Sequence, residues 1–196
     1  MTLDLPGFAD PVSQSQACFR AVLQALSRPG SVHDAGRGLT PPAGLAAATA
    51  AVLLTLVDAE TPLHIAARFA DARDWIAFHC GALPGETGSR GGFILCDTLP
   101  ELACVNAGTD EGPEDSATII LQIAGFDGGA PFLLSGPGLE RPARITIPGL
   151  PAEFADIWAA NHALYPRGVD LILCAGSRVA AFPRSLRIVP SPIGEA

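Results

Sequence analysis

Arginine stands beside three strand-ending or glycine-rich segments, which is the setting of a candidate anion site. Arg184 follows Pro183, which has no N–H to donate and therefore holds the cation just beyond a strand end. Ser135-Gly-Pro-Gly138 precedes Arg141 closely, so backbone N–H groups and a guanidinium could surround a phosphate. Gly88-Ser-Arg-Gly-Gly92 is a weaker form of the same pattern. The alternative for these segments is an ordinary turn beside a solvated arginine.

The sequence contains no common motif for metal binding, nucleophilic catalysis, nucleotide binding by a P-loop or Schiff-base chemistry. The four histidines, at positions 33, 64, 79 and 162, have no metal-binding spacing, and we nominate none of them as a ligand or base. Neither a Gly-x-Ser-x-Gly nucleophile elbow nor a P-loop occurs. All 12 basic residues are arginine, so no lysine amine can form a Schiff base with pyridoxal phosphate. We therefore expect no pyridoxal phosphate, no other cofactor and no metal on this chain.

Composition narrows the class of protein. A chain of 196 residues that is 48% apolar can bury one sizeable core, and we predict a single domain over residues 1–196. The net charge of -8 argues against nucleic acid or an anionic membrane as a partner. The longest apolar stretch, residues 45–57, is too short to span a bilayer, and the N-terminus lacks the pattern of a signal peptide. A cytoplasmic protein is expected.

Apolar periodicity predicts the elements that must position the arginines. Helices are predicted at 14–27 with a capping box at Ser13 and Gln16, from Thr40, from Asp71 to Gly81, and from Pro151. Strands are predicted at 31–35, 63–66, 93–96, 118–124, 131–134, 144–147, 169–174 and 179–182. Hairpins are predicted at 118–134 and 169–182, with 169–174 as a central strand. This pattern favours an α/β domain with a mixed sheet.

Five segments, in this order and spacing, resemble one known family. They lie at residues 19–30, 52–62, 108–122, 134–138 and 168–184 and extend over almost the whole chain. The chain is identified as a member of the PhnH family, which belongs to the bacterial carbon–phosphorus lyase system. The resemblance implies a three-layer domain, with a mixed sheet flanked by helices, similar to pyridoxal-phosphate-dependent transferases without a working cofactor site. It also implies a homodimer that joins other subunits of the complex.

The resemblance implies a role in phosphonate catabolism. Family members take part in forming ribose 1-alkylphosphonate 5-triphosphate from ATP and an alkylphosphonate such as methylphosphonate, with release of adenine. A PhnH-family protein is not expected to be catalytic alone, and the alternative is an assembly module without a ligand site. The matched segments supply polar and glycine residues that could contact ATP or a phosphonate: Arg28, Asp58, Thr109, Glu114, Ser135, Gly136, Gly138, Asp170 and Arg184.

Within that set, two arginines and three acids have the clearest expected roles. Arg28 and Arg184 could hold phosphonate or triphosphate oxygens in bidentate fashion. Asp58, Glu114 and Asp170 could instead orient those arginines or fix loops at a subunit interface. The alternative for the whole set is that its members are capping and turn residues that serve the fold and assembly.

Overall fold

Residues 5–191 are described by the computed structural model, in which a mixed sheet has three helices on one face and a smaller sheet with a fourth helix on the other. The helices are α1 (Pro11–Ser27), α2 (Ala47–Leu56), α3 (Arg73–Cys80) and α4 (Phe154–His162). The strands are β1 (His33–Asp34), β2 (Pro62–Ile65), β3 (Leu83–Pro84), β4 (Phe93–Cys96), β5 (Thr118–Gln122), β6 (Ala130–Ser135), β7 (Ala143–Ile147), β8 (Asp170–Ala175), β9 (Arg178–Phe182) and β10 (Arg187–Pro190).

The large sheet confirms the predicted α/β class and the mixed strand directions. Its strand order is β1-β9-β8-β5-β4-β2-β3, in which β8, β5, β4, β2 and β3 run parallel. The hairpin of β8 and β9 is antiparallel and turns at Gly176, which has a φ of 57°. Strand β8 lies between β5 and β9 and is buried from residue 171 to residue 175, so the prediction of a central strand is correct.

The predicted hairpin at 118–134 is wrong. Strand β5 is hydrogen-bonded to β4 on one side and to β8 on the other, so it has no free edge for a third strand. Strand β6 instead lies in a separate antiparallel sheet of order β10-β6-β7. The segment around Gly128 and Gly129 therefore connects two sheets rather than two paired strands.

Two hydrophobic clusters lie on opposite faces of the large sheet. Alternate side chains point to opposite faces of a strand, and in β5 Ile120 joins the cluster beneath α1, α2 and α3 whereas Ile119 joins the other. The second cluster contains side chains of β6, β7, β10 and α4, with Phe154 and Trp158 fully buried. A small sheet thus covers much of the face for which only helices were predicted. The expected likeness to pyridoxal-phosphate-dependent transferases stays a prediction.

The first two helices begin at residues other than those predicted. Helix α1 is capped by Asp10 rather than Ser13, because the Asp10 carboxylate accepts from the Ser13 N–H at 3.2 Å. Helix α2 begins at Ala47 instead of near Thr40, after Gly44 with a φ of 89°.

The other two helices begin later than predicted. The residue before α3 is Ala72, which makes no side-chain capping bond, so Asp71 is not the cap. A 3-10 helix at Ala67–Ala72 precedes α3 and takes up the predicted starting position. The predicted C-cap Gly81 is confirmed by its φ of 65°. Helix α4 begins at Phe154, three residues after the predicted Pro151.

No helix within residues 5–191 combines the length and apolar character needed to cross a membrane.

Candidate functional site

Arg184 lies where the sequence predicts it, just beyond β9, but its side chain is held inside the protein. Its Nε donates to Asp170 Oδ1 at 3.2 Å and its Nη2 donates to Oδ2 at 2.5 Å. Its Nη1 donates to the Pro113 carbonyl at 2.7 Å, and its backbone N–H donates to Asp170 Oδ1 at 2.7 Å. The pair therefore joins the start of β8, the end of β9 and the loop at 108–116. Asp170 therefore orients the Arg184 guanidinium, one of the roles that the sequence suggests for this acid.

A cavity opens at Ser185, the residue after Arg184, between the β6–β7 turn and the end of α4. Its volume is about 430 Å³, within the range of about 300–1,000 Å³ that is typical of ligand pockets. The lining residues are Ser135, Gly136, Pro137, His162, Tyr165, Ser185 and Arg187. The serine-glycine turn that the sequence singled out thus shares a cavity with the segment immediately after Arg184.

The turn at 135–138 packs closely against the backbone at Ser185 on one side and at Ser27 on the other. Gly136 has a φ of 139°, and a Cβ added to it would lie 3.2 Å from the Ser185 carbonyl oxygen. Gly138 has a φ of 84°, and a Cβ added there would lie 2.0 Å from the Ser27 carbonyl oxygen. Both positions therefore favour glycine on conformation, and Gly138 has no room for a side chain. The second contact also brings the turn next to Arg28, the exposed C-cap residue of α1.

His162 connects the cavity to the backbone of Arg184. Its ring is placed by α4, which is tied to the β9–β10 connection because Trp158 Nε1 donates to the Leu186 carbonyl at 2.9 Å. His162 Nδ1 lies 3.1 Å from the Arg184 carbonyl oxygen, and Arg187 Nε donates to His162 Nε2 at 3.2 Å. Since Nε2 accepts, Nδ1 carries the proton and donates, which assigns a neutral imidazole from its hydrogen-bond partners.

Arg187 brings a positive charge to the cavity rim without an acidic partner. Its side chain is exposed, and no carboxylate forms an ion pair with it in the part of the chain that the structure describes. Sequence patterns did not indicate Arg187, His162 or Tyr165, because a lone histidine and scattered arginines carry no local motif. The one sequence signal is the apolar-charged-apolar order of Leu186, Arg187 and Ile188, which fits the strand β10 seen in the structure, where Leu186 and Ile188 are buried and Arg187 is exposed.

Asp58 is not brought to this cavity. Its Oδ1 accepts from the Glu60 N–H at 2.9 Å and from the Thr61 hydroxyl at 3.0 Å, and these bonds lower the pKa of the carboxyl group. The turn it forms leads into β2, which is three strands away from β8. At about 4.8 Å per strand, this separation is about 14 Å. The observed contacts of Asp58 are those of a turn residue.

Thr109 and Glu114 lie in the loop that Arg184 contacts. Thr109 Oγ1 accepts from the Gly112 N–H at 3.0 Å and closes a local turn. Glu114 is exposed and follows Pro113 in a short 3-10 helix. The loop is near the Arg184–Asp170 pair, but neither side chain lines the cavity.

Of the nominated residues, the structure thus brings Ser135 and Gly136 into one cavity, and the Arg184 carbonyl contacts His162 of its lining. Gly138 lies in the same turn and packs against Ser27, the residue before Arg28. The role of the nominated residues in ligand binding stays a prediction. The weaker candidate at 88–92 lies elsewhere, where the Gly91 N–H donates to the Asp115 carbonyl at 2.7 Å and Arg90 pairs with the Asp115 carboxylate. Within residues 5–191, no group of three or more His, Cys, Asp or Glu side chains is arranged to hold a metal ion.

Comparison with known proteins gives consistent matches over nearly the whole chain. The family model described as "Bacterial phosphonate metabolism protein (PhnH)" matches residues 6–189. The alpha-D-ribose 1-methylphosphonate 5-triphosphate synthase subunit PhnH of Rhizobium meliloti is 37% identical over 186 residues, which cover 92% of this chain and 93% of that protein. HtxG of Stutzerimonas stutzeri, named as a candidate C-P lyase subunit, is 31% identical over 179 residues, covering 89% and 86%.

Proposed function

Since the chain belongs to the PhnH family of bacterial phosphonate metabolism proteins, we propose that it is a subunit of a carbon–phosphorus lyase system. The observation that carries this proposal is the match over residues 6–189, together with a 37% identical relative named as a synthase subunit. The partners are then the other subunits of that system. A homodimer within the assembly is part of the proposal.

The reaction served by this subunit joins an alkylphosphonate to the ribose of ATP. A phosphonate oxygen forms a bond to the anomeric carbon of the ribose, the bond from that carbon to adenine breaks, and adenine leaves with a proton. The products are ribose 1-alkylphosphonate 5-triphosphate and adenine. Both substrates are anionic, and the chain contributes an anion-binding surface rather than a nucleophile.

The cavity at the β6–β7 turn is the region that supports this role best. Arg187 offers a guanidinium without an acidic partner among the described residues, and Gly136 places backbone close to the opening. Guanidinium groups and turn N–H groups are the common ligands of phosphate-like anions. The sequence has no lysine, so pyridoxal phosphate could form no internal Schiff base here, and we propose no cofactor on this chain.

Growth on a phosphonate tests the proposal. A bacterium that lacks its own PhnH-family protein should fail to grow with methylphosphonate as the only phosphorus source, and a plasmid carrying this chain should restore growth. Growth on inorganic phosphate is the control, because it bypasses the phosphonate route. Failure to restore growth, despite stable expression and co-purification with the host subunits, would contradict the proposed role.

An assembly module without a ligand site is the second candidate. It is favoured by the contacts of Asp58 and Arg184, whose side chains are bonded within the chain rather than directed into the cavity. The module would co-purify with the other subunits and bind neither ATP nor methylphosphonate in a calorimeter. Binding of either compound by the isolated chain would count against it.

A further inference from the structure

We propose that the cavity lined by Gly136, His162 and Arg187 binds a tetrahedral oxyanion and that His162 takes up a proton as the anion enters. The ligand class is a phosphonate or phosphate dianion, which both substrates of the proposed reaction carry. For the identity of the natural ligand this inference rests on the proposed function, but the site itself follows from the geometry of the cavity.

The charge of the cavity suits an anion. Seven of the described residues line it; Arg187 is cationic, His162 can become so, and none is acidic. The chain as a whole has a net charge of -8, with 20 acids and 12 arginines. At this cavity an anion would meet a guanidinium that has no acidic partner among residues 5–191.

Arg187 has donors to spare for the anion. A guanidinium has five N–H donors, and Nε is directed to His162 at 3.2 Å. The two terminal nitrogens have no hydrogen-bond acceptor or ion-pair partner within the described residues. They can donate two parallel hydrogen bonds to two oxygens of a phosphonate, because the guanidinium is planar. The hydroxyl groups of Ser135 and Ser185 line the same space and can donate to the remaining oxygen.

His162 is the group whose protonation changes with binding. In its neutral form, Nε2 accepts from Arg187 while Nδ1 donates to the Arg184 carbonyl. A proton on Nε2 would place two N–H donors face to face at 3.2 Å, so Arg187 would have to turn away from the ring. The imidazolium would then give the cavity a second positive charge. A dianion stabilises that state, and binding is therefore linked to proton uptake.

The other charged groups near His162 do not offset this linkage. The Arg184 guanidinium, on the β9–β10 connection, is already paired with Asp170 of β8. Tyr165, on the segment after α4, is exposed. The β6–β7 turn contributes only Ser135, Gly136 and Pro137 to the cavity, none of them charged.

Sulfate is a suitable probe because it stays a dianion throughout the pH range in which histidine titrates. Titrating the full-length protein with sulfate, while following the backbone amide signal of Gly136 by NMR, reports binding at this cavity. The wild-type affinity should rise as pH falls from about 8.5 to about 6, approaching tenfold per pH unit where a single proton is taken up. His162→Gln keeps an acceptor for Arg187 but takes up no proton, so its affinity should be independent of pH.

Substitution of two different arginines shows whether sulfate binds at this cavity or is attracted by surface charge in general. Arg187→Gln should weaken sulfate binding by about 10- to 100-fold, the loss expected for charge-assisted hydrogen bonds. Arg20→Gln removes an exposed arginine of α1 that does not line the cavity, and it should leave the affinity unchanged. Thermal unfolding of each variant confirms that it is folded. The proposal would be overturned if the Arg187 and Arg20 variants bound sulfate with equal affinity, or if the wild-type affinity for sulfate did not change with pH.

Competition at about pH 7 identifies the source of the oxyanion. Displacement of sulfate by methylphosphonate assigns the phosphonate of the substrate, and displacement by ATP assigns the triphosphate; displacement by neither would overturn the proposal. The outcome is distinguishable from that of the growth test. Restored growth without sulfate binding refutes this inference alone, whereas sulfate binding without restored growth refutes the proposed function alone.

Discussion

Replacing Asp170 with asparagine should destabilise the protein, because it removes the charge that compensates Arg184. The substitution Asp170→Asn keeps the shape of the side chain but leaves a guanidinium that is only 17% exposed without its counter-ion. Loss of one partner from a fully buried ion pair costs about 3–5 kcal/mol. Because the Asp170 side chain is itself 23% exposed, water offsets part of this loss, and we expect a decrease of about 2–3 kcal/mol in the free energy of unfolding.

Urea unfolding at pH 7 measures this decrease, and a thermal melt should show a lower Tm by about 4–12 °C for a chain of this size. The matched control is Asp34→Asn, which breaks the pair with Arg37, whose side chain is 87% exposed. That control should cost about 0.5 kcal/mol or less. The double variant Asp170→Leu with Arg184→Met removes both charges and should recover part of the lost stability.

An Asp170→Asn protein that is no less stable than the Asp34→Asn control would refute this role of the ion pair. The result also decides how a growth defect of Arg184→Ala is interpreted. If that variant is unstable, poor growth on methylphosphonate reflects loss of folded protein rather than loss of a ligand contact. A stable Arg184→Ala protein that fails to support growth would make Arg184 a ligand-binding residue again.

Three further predictions concern other parts of the chain. Gly138→Ala should lower the free energy of unfolding by about 2 kcal/mol or more, since its Cβ would meet a backbone oxygen at 2.0 Å; Gly128→Ala, at a similar φ but in open space, should cost about 1 kcal/mol in the same urea experiment. Asn161→Ala should cost about 2–4 kcal/mol, because two buried backbone groups before β8 lose partners at 2.8 and 3.0 Å; an unchanged urea midpoint would contradict this. Cys104 is exposed, whereas burial raises the pKa of the other four thiols, so a disulfide reagent at about pH 8 should label one thiol rapidly in the folded protein and five after unfolding.

The parts of the fold that could be predicted from the sequence are those determined by residues close together in the chain. The β8–β9 hairpin follows from a buried apolar run, a glycine turn at Gly176 and a proline that ends the second strand. The end of α1 follows from Pro29 and Gly30. The pairing of β5 does not follow, because two short strands separated by glycines look alike whether they form a hairpin or belong to different sheets. Only the two neighbouring strands, 22 and more residues away in sequence, exclude the hairpin.

The candidate site was predictable in position but not in chemistry. Sequence placed Arg184 and the Ser135 to Gly138 turn correctly at element ends, and the fold brings them together. It could not show that the Arg184 side chain turns inward to Asp170, which lies 14 residues earlier in the sequence. Nor could it show that Arg187 meets His162, a partner 25 residues away. Such pairs depend on how α4 packs against β10, and no local pattern encodes that contact.

Adenine release by the assembled system tests the central claim most directly. The purified subunits of a carbon–phosphorus lyase system, supplied with ATP and methylphosphonate, are assayed with and without this chain. We expect adenine and ribose 1-methylphosphonate 5-triphosphate to form only when the chain is present, with Arg187→Gln lowering the rate and Arg20→Gln leaving it unchanged. Equal adenine release in the absence of the chain would contradict its role as a subunit of the synthase.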